Sequence, residues 1–483
     1  NKTYLIKDKN DWNNEKISKL WLYNLHYFDN LNSKHHYKFK QRNKKLIYKW
    51  IDENPLGYGV GWEPYPTSLR IVNWIKWTLA GNTLPQECVW SLAIQTRWLK
   101  KRLEVHLLGN HLFCNAKALV FAGLFFEGGE ASQWLEKGLS ILAEQIPEQI
   151  LSDGGQFELS PMYHALALED MLDLCNIVSA YEVVLCENSE EIITDWREIV
   201  NRMQRWLEIM LHPDGEISFF NDASMGISPA PELIMDYAER LGISGSPIKD
   251  ETIHLEDTGY IRVERQNMIA FLDVAQVGPD YLPAHAHADT LSFEMSLFGQ
   301  RVFVNSGTSC YGQGEERRQE RATSAHNTVE INGENSSEVW GGFRVGRRAY
   351  PTEPEIRENG DRTVISASHD GYEWLPGKNH HYRSWSFALS SVLIEDRIHG
   401  DFREAVAYFQ LHPNVQLGSL PDETSAFLML QKGQSVILDV EGGRIRVEDS
   451  SWHPQFGLSV PNLCLAVDFE DQKVRTNIRW SAK

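Results

Sequence analysis

The sequence predicts an α+β multidomain protein, with a helical array followed by an antiparallel β-sandwich-like domain. Three observations carry this. The chain has 483 residues, too many for one ordinary hydrophobic core. From about residue 66 to residue 245 apolar side chains recur every three or four positions, as in Val89, Leu92, Ala93, Leu99 and Leu103, which marks one buried helix face. After about residue 250 the period drops to two. Ile261 and Val263 alternate with Arg262 and Glu264, and Leu291, Phe293, Met295 and Leu297 alternate with Ser292, Glu294 and Ser296.

The elements follow in order. Residues 1–60 read as a polar and aromatic N-terminal segment, with Trp21, Tyr23, His26, Tyr27 and Phe28 close together. Helical stretches are expected near 67–80, 111–127, 131–146, 162–187, 190–211 and 230–241. The breaks between them carry turn chemistry at Gly81-Asn82, Gly128-Gly129, Asp153-Gly154-Gly155 and Pro213-Asp214-Gly215. Short loops between consecutive helices predict antiparallel neighbours. In the second half, Gly299-Gln300 turns the strand ending at Leu297 into Arg301–Val304. Glu441-Gly442-Gly443 between Val436–Val440 and Arg444–Val447 reads as a second hairpin. The domain boundaries expected are 1–60 for an N-terminal segment packing on the helices, 61–250 for the helical domain and 251–483 for the β domain.

Composition narrows the function. Apolar residues make up 42% and charged residues 23%, an ordinary globular balance. No run of about 18 apolar residues occurs, so no membrane span is expected. With 47 Lys+Arg against 66 Asp+Glu the net charge is −19, which argues against a nucleic-acid partner. The six cysteines, Cys88, Cys114, Cys175, Cys186, Cys310 and Cys464, form no CxxC pair and are expected to be buried free thiols. No signal peptide is visible at Asn1, which leaves the compartment open.

Four clusters carry candidate chemistry. Gly109-Asn110-His111 sits where a helix begins, with two readings: an Asn cap, or a polar pair that receives an anionic group. Asp153 to His164 is a loop feeding a helix, with Tyr163 and His164 in its first turn and two carboxylates, Asp153 and Glu158. His285-Ala286-His287-Ala288-Asp289 is the densest cluster. Residues two apart on extended chain share a face, so His285 and His287 converge on one metal or one substrate, or divide acid–base and metal roles. His326 is a further partner from a neighbouring strand. Arg317, Arg318 and Arg321, and then Arg344, Arg347 and Arg348, are basic clusters on an acidic protein, suited to carboxylate or sulfate recognition or simply to a solvated surface.

Together these segments resemble the heparinase II/III-like polysaccharide lyases. The resemblance lies in Trp62-Glu63-Pro64-Tyr65-Pro66-Thr67-Ser68-Leu69-Arg70, Gly109-Asn110-His111, Asp153 to His164, and His285-Ala286-His287 through Ala325-His326-Asn327-Thr328. The aromatic opening Trp21–Phe28 is similar to members found beside bacterial surface-polymer or exopolysaccharide genes. The resemblance implies an incomplete (α/α) toroid joined to antiparallel sheets. It also implies β-elimination on a uronate-containing glycan, leaving a 4,5-unsaturated uronate. It assigns Asn110, with His111, to the substrate carboxylate, Tyr163 to the acid and in some substrates the base, and His285 to the base. Arg70, Tyr65, His164, Trp340 and Arg344 become candidate substrate-binding residues. One structural zinc is implied at His287, Asn305 and His326, with Asn305 standing where the family pattern has a carboxylate. No organic cofactor is expected.

Two alternatives remain open: a glycoside hydrolase, using two of Asp153, Glu158 and Asp222, and a non-catalytic glycan-binding protein in polymer assembly. The acidic balance favours a lightly charged polymer over a heavily sulfated one. A periplasmic or secreted location is expected; the oligomeric state is left open.

Overall fold

A computed structural model describes residues 4–181, 189–245 and 248–482. By compactness the chain divides into two units, Asn1–Gln149 with Asp170–Arg197, and Ile150–Glu169 with Glu198–Lys483. The expected N-terminal segment falls in the first unit. Residues 150–169 and those from 198 onward fall with the β strands.

The helices are α1 (Lys19–Tyr27), α2 (Lys40–Glu53), α3 (Pro64–Leu79), α4 (Gln86–Lys100), α5 (Gly109–Phe125), α6 (Gly129–Gln149), α7 (Pro161–Ala180), α8 (Ser189–Ile209), α9 (Pro231–Arg240) and the short α10 (Glu315–Glu320). The end of the stretch expected over 162–187 lies outside the described residues. Three of these helices begin on proline, whose fixed φ suits the first helical position and whose missing N–H is no loss there. In the first unit an aromatic core of Trp12, Phe28, Trp50, Trp62 and Trp74 surrounds Arg70.

The second unit holds the strands. A five-stranded antiparallel sheet runs in order through β1 (Thr252–Leu255), β2 (Tyr260–Arg265), β3 (Met268–Asp273), β4 (Phe293–Leu297) and β5 (Gln300–Phe303). The expected turn at Gly299-Gln300 joins β4 to β5. The remaining strands are β6 (Val329–Ile331), β7 (Val339–Trp340), β8 (Arg344–Val345), β9 (Glu355–Asn359), β10 (Arg362–Tyr372), β11 (Asn379–Ala388), β12 (Ser391–His399), β13 (Ala405–Gln410), β14 (Gln416–Asp422), β15 (Ser425–Met429), β16 (Ser435–Glu441), β17 (Gly443–Gln455), β18 (Leu458–Phe469) and β19 (Lys473–Ser481). An eight-stranded sheet has the order β14-β15-β16-β19-β12-β11-β10-β9, and a four-stranded sheet the order β17-β18-β13-β6. β7 and β8 form a separate two-stranded hairpin. One apolar core, including Ile261, Phe293, Trp385, Ile394, Leu428 and Leu465, is shared by the three large sheets.

The expected hairpin at Glu441-Gly442-Gly443 is corrected. β16 pairs with β19 and β17 pairs with β18, so the chain changes sheets at this point. Gly442 has φ +80, and a Cβ there would meet Lys473 O at 2.4 Å, so only glycine makes the crossing. Alternation and a Gly-Gly turn describe both outcomes equally well. Cys88, Cys114, Cys175 and Cys464 are buried free thiols and Cys310 is a half-buried one; Cys186 lies outside the described residues.

Candidate active site

The site in the second unit is built on a loop that reverses before α7. Asp153 accepts from Gly155 N at 2.9 Å and from Thr258 N and Oγ1, each at 2.8 Å. Its carboxylate therefore pins the loop to the β domain. Gly154 has φ +92, and a Cβ there would meet Arg202 O at 2.4 Å. At the loop's end Ser160 caps α7, its Oγ accepting from Tyr163 N at 3.2 Å. Leu159 (φ +60) and Asn221 (φ +55) hold left-handed backbone on either side of the site. Asn221 Nδ2 donates to Leu159 O at 2.9 Å, and its Oδ1 accepts from His287 N at 3.1 Å. Two strained segments thus lock the base of the site to each other.

Tyr163 and His285 meet here. Their rings stack with centroids 4.0 Å apart at a 36° tilt. The Tyr163 hydroxyl is hydrogen-bonded to the Tyr311 hydroxyl at 2.8 Å. His285 Nδ1 donates to Asp222 Oδ2 at 2.8 Å, and its Nε2 lies 3.3 Å from Glu158 Oε2. Asp222 is fully buried and heavily engaged. It receives His287 Nε2 at 2.8 Å and Arg317 Nη2 at 2.8 Å, and Arg317 Nη1 binds its other oxygen. Burial acts to raise the Asp222 pKa, but the Arg317 charge and the two imidazoles outweigh it and hold the carboxyl well below the usual range. Burial, and then the Asp222 charge, pushes the Tyr163 phenol well above its ordinary value. Tyr163 therefore keeps its proton at neutral pH. With Nδ1 donating a hydrogen bond to Asp222, Nε2 is the ring nitrogen left to take a proton.

Sequence reasoning carried Asp222 and Glu158 only as hydrolase carboxylates and Arg317 only as part of a basic cluster. Tyr311 was missed, and no local signal marks it. Arg317 instead lies fully buried, with its guanidinium clamped on Asp222 and its Nε donating to Gly342 O at 3.1 Å.

Other expected substrate residues divide. Arg70 is fully buried, 3.8 Å over the Trp50 ring, with Nε donating to Gln95 Oε1 at 2.8 Å. It is a core residue, and the expectation of a substrate contact is corrected. His164 is likewise buried against Trp206, its Nε2 donating to Met203 O at 2.9 Å, and touches no open surface. Trp340 and Arg344 face solvent on the β7–β8 hairpin, with the guanidinium 5.2 Å over the indole. That hairpin's turn brings Phe343 to 6.1 Å from the His285 ring.

In the first unit Tyr65 stacks on His111 at 4.5 Å, and His111 Nδ1 lies 3.1 Å from Glu104 Oε1. Asn110 is the second residue of α5. The cap position is Leu108, with no side-chain cap, so the Asn-cap reading is corrected. The Asn110 amide makes no hydrogen bond among the described residues.

The implied zinc trio does not fit the ion. His287 Nδ1 and His326 Nε2 lie 3.2 Å apart and satisfy each other by a direct hydrogen bond. Burial first of all holds their pKa values near 4 and near 3, so both are neutral. Asn305 Nδ2 donates to Phe219 O at 2.8 Å and its Oδ1 accepts from Asn327 N at 3.3 Å. The trio offers no anionic donor, and Asp222 is already occupied by Arg317.

Comparison with known proteins bears on this constellation. Residues 74–238 match the family model "Heparinase II/III N-terminus", and residues 248–481 match "Heparinase II/III-like, C-terminal". The chain belongs to the heparinase II/III family. This heparinase II/III-family chain is 24% identical over 378 residues to a heparin-sulfate lyase of Bacteroides stercoris, covering 72% of this chain and 54% of that protein. It is 26% identical over 250 residues to a heparin-sulfate lyase of Pedobacter heparinus, covering 47% of this chain and 36% of that protein. The chain thus spans about half or less of the curated relatives it matches. A solved heparinase III superposes with TM-score 0.77 at 17% identity, covering 99% of this chain and 78% of that one. A Streptomyces coelicolor chondroitin AC lyase superposes at 0.60 and 10% identity, covering 96% and 75%. The fold is the expected one, an incomplete (α/α) toroid followed by antiparallel sheets.

Proposed function

We propose that the chain is a polysaccharide lyase acting on a uronate-containing glycan by β-elimination. The single observation that carries this is a buried, protonated Tyr163 stacked on a His285 whose Nδ1 is fixed by Asp222. β-Elimination needs a base at C5 and an acid at O4 on neighbouring positions. His285 Nε2 takes the C5 proton, and Asp222 and Glu158 stabilise the imidazolium that forms. The C4–O4 bond breaks, the electron pair left at C5 becomes the C4–C5 double bond, and Tyr163 gives its proton to the departing O4. The imidazolium then loses its proton and the phenolate regains one, which returns both groups to their starting states. Asn110 and His111, by family likeness, receive the substrate carboxylate, whose neutralisation makes C5–H acidic.

The Bacteroides and Pedobacter relatives are named for heparin sulfate, so a glycosaminoglycan-type uronate is the substrate class to test first. The protein is proposed to act in the periplasm or outside the cell, where such polymers lie. A hydrolase needs one carboxyl that keeps its proton and another free to activate water. Asp222 is clamped by Arg317 and Asp153 is tied to Thr258, which leaves Glu158 alone of the three candidate carboxylates, one short of the pair. The test is ultraviolet absorbance over time on heparan sulfate, hyaluronan, chondroitin, alginate and bacterial capsular polymers. A rise from the conjugated double bond on one of them is expected. New reducing ends without that absorbance would establish hydrolysis instead.

A further inference from the structure

Outside the Tyr163–His285 constellation, three ligand-type side chains converge from two elements of the second unit. Glu316 and Glu320 lie four apart on α10 and so share a face. His453 comes from β17. One carboxylate oxygen from each Glu and an imidazole nitrogen of His453 all lie within 4.8 Å of one another.

The arrangement gathers two carboxylates and an imidazole that do not bond one another. Like charges four apart destabilise a helix, and here one of the two is removed from water. His453 is 6% exposed, yet its Nδ1 has no hydrogen-bond partner among the described residues. Its nearest carboxylate oxygen, Glu320 Oε1, is 3.7 Å away, beyond hydrogen-bond range. Glu320 is 2% exposed; its Oε1 is bonded by Ser309 N at 2.9 Å and by Ser309 Oγ, while its Oε2 has no hydrogen-bond partner among the described residues. Among the described residues, two buried atoms able to ligate a cation are thus left without a partner in this cluster, and the solvent-exposed carboxylate of Glu316 completes it. Ser309 Oγ also reaches Glu316 Oε1 at 3.2 Å, which fixes the rim.

We propose that Glu316, Glu320 and His453 form a binding site for one first-row divalent cation, with zinc as the metal. Carboxylate oxygen and imidazole nitrogen are both zinc donors, and three protein ligands leave one position open on a tetrahedral ion. An imidazole donor disfavours calcium and magnesium, which take oxygen. The cation joins α10 to β17. Because α10 also carries Arg317, the ion steadies the helix from which the clamp on Asp222 is made. This site shares no residue with His287, Asn305 and His326.

The experiment uses the whole chain, stripped with chelator and titrated with zinc by calorimetry, with cobalt as a spectroscopic probe of geometry. One site per chain is expected, with a visible cobalt band of tetrahedral intensity and a raised melting temperature on loading. Glu316→Gln, at an exposed position that leaves folding intact, is expected to weaken zinc binding at least tenfold. His453→Gln is expected to abolish the cobalt band, while His326→Gln leaves both unchanged. Absence of saturable binding would overturn the proposal, as would affinity unmoved by Glu316→Gln or lost only in His326→Gln.

Discussion

The Tyr163 phenol lies against the His285 imidazole at a 36° tilt, centroids 4.0 Å apart, and its hydroxyl has one hydrogen-bond partner among the described residues, Tyr311, at 2.8 Å. An acid held in this way is separable from the packing that holds it. Tyr163→Phe keeps the ring stack and removes only the proton donor. Turnover is expected to fall roughly 100- to 10,000-fold, the usual contribution of a positioned acid. Stability is expected to fall by only about 1–2 kcal/mol, the cost of leaving the Tyr311 hydroxyl unpaired. Steady-state rates together with denaturant unfolding check both. Near-normal turnover would remove Tyr163 from the reaction.

Asp222 has two roles that a double mutant separates. It fixes the His285 proton on Nδ1, and it neutralises the buried Arg317. Asp222→Asn leaves a guanidinium buried without its anion, an effect on the order of 3–5 kcal/mol. Adding Arg317→Met removes that stranded charge, so most of the stability is expected to return. Activity is not expected to return, because an amide no longer selects the Nδ1-protonated tautomer. Recovery of turnover in the double mutant would show that Asp222 serves only the fold.

Much of this was legible in the sequence, and the failures have a common cause. The change of period near residue 250 placed the helices and strands, and the loop from Asp153 to His164 announced Tyr163. Pairing partners were harder to read. Glu441-Gly442-Gly443 looks like a hairpin because local turn chemistry does not record which strand the chain joins next. The resemblance assigns Arg70 a substrate contact, and nothing local corrects it, because its burial depends on Trp50, which sits on a different helix. Arg317 and Asp222 are 95 positions apart, so nothing near either one shows that they form an ion pair. Tyr311 sits in an irregular loop and follows no periodicity at all.

The β7–β8 hairpin offers a test of substrate contact away from the reacting atoms. Trp340 is 51% exposed with Arg344 over its ring, an arrangement with an apolar face and a positive edge suited to an anionic sugar. Trp340→Ala is expected to raise KM roughly five- to tenfold, equivalent to about 1 kcal/mol of binding, with kcat nearly unchanged. Unfolding midpoints should match the parent, since the indole is half exposed on a two-stranded hairpin. A fall in kcat at constant KM would place the hairpin in the chemistry instead.

Beneath the site, Glu294 ties the five-stranded sheet to the segments that carry Phe219 and Asn305. Its carboxyl accepts from Phe219 N at 2.8 Å and from Asn305 N at 2.7 Å, and His212 Nε2 lies 2.9 Å away. Burial, opposed by Arg301 and those two amides, pushes its pKa from an ordinary 4.5 up to about 7. The folded state therefore keeps a proton that the unfolded chain releases above pH 4.5. The sign follows: this contribution to stability is full below about pH 4.5 and is lost as the pH rises to about 7, an effect on the order of 3 kcal/mol. His212, held neutral by burial, works the other way, so its contribution is lost as the pH falls below about 6.5. Glu294→Gln preserves the two accepted backbone bonds through its amide oxygen only in part, and it removes the titration. The variant is expected to be less stable than the parent at pH 5 and to close most of that gap by pH 8. Urea unfolding of both proteins across that range measures the difference directly; a gap that stays constant with pH would show that Glu294 is ionised in the fold.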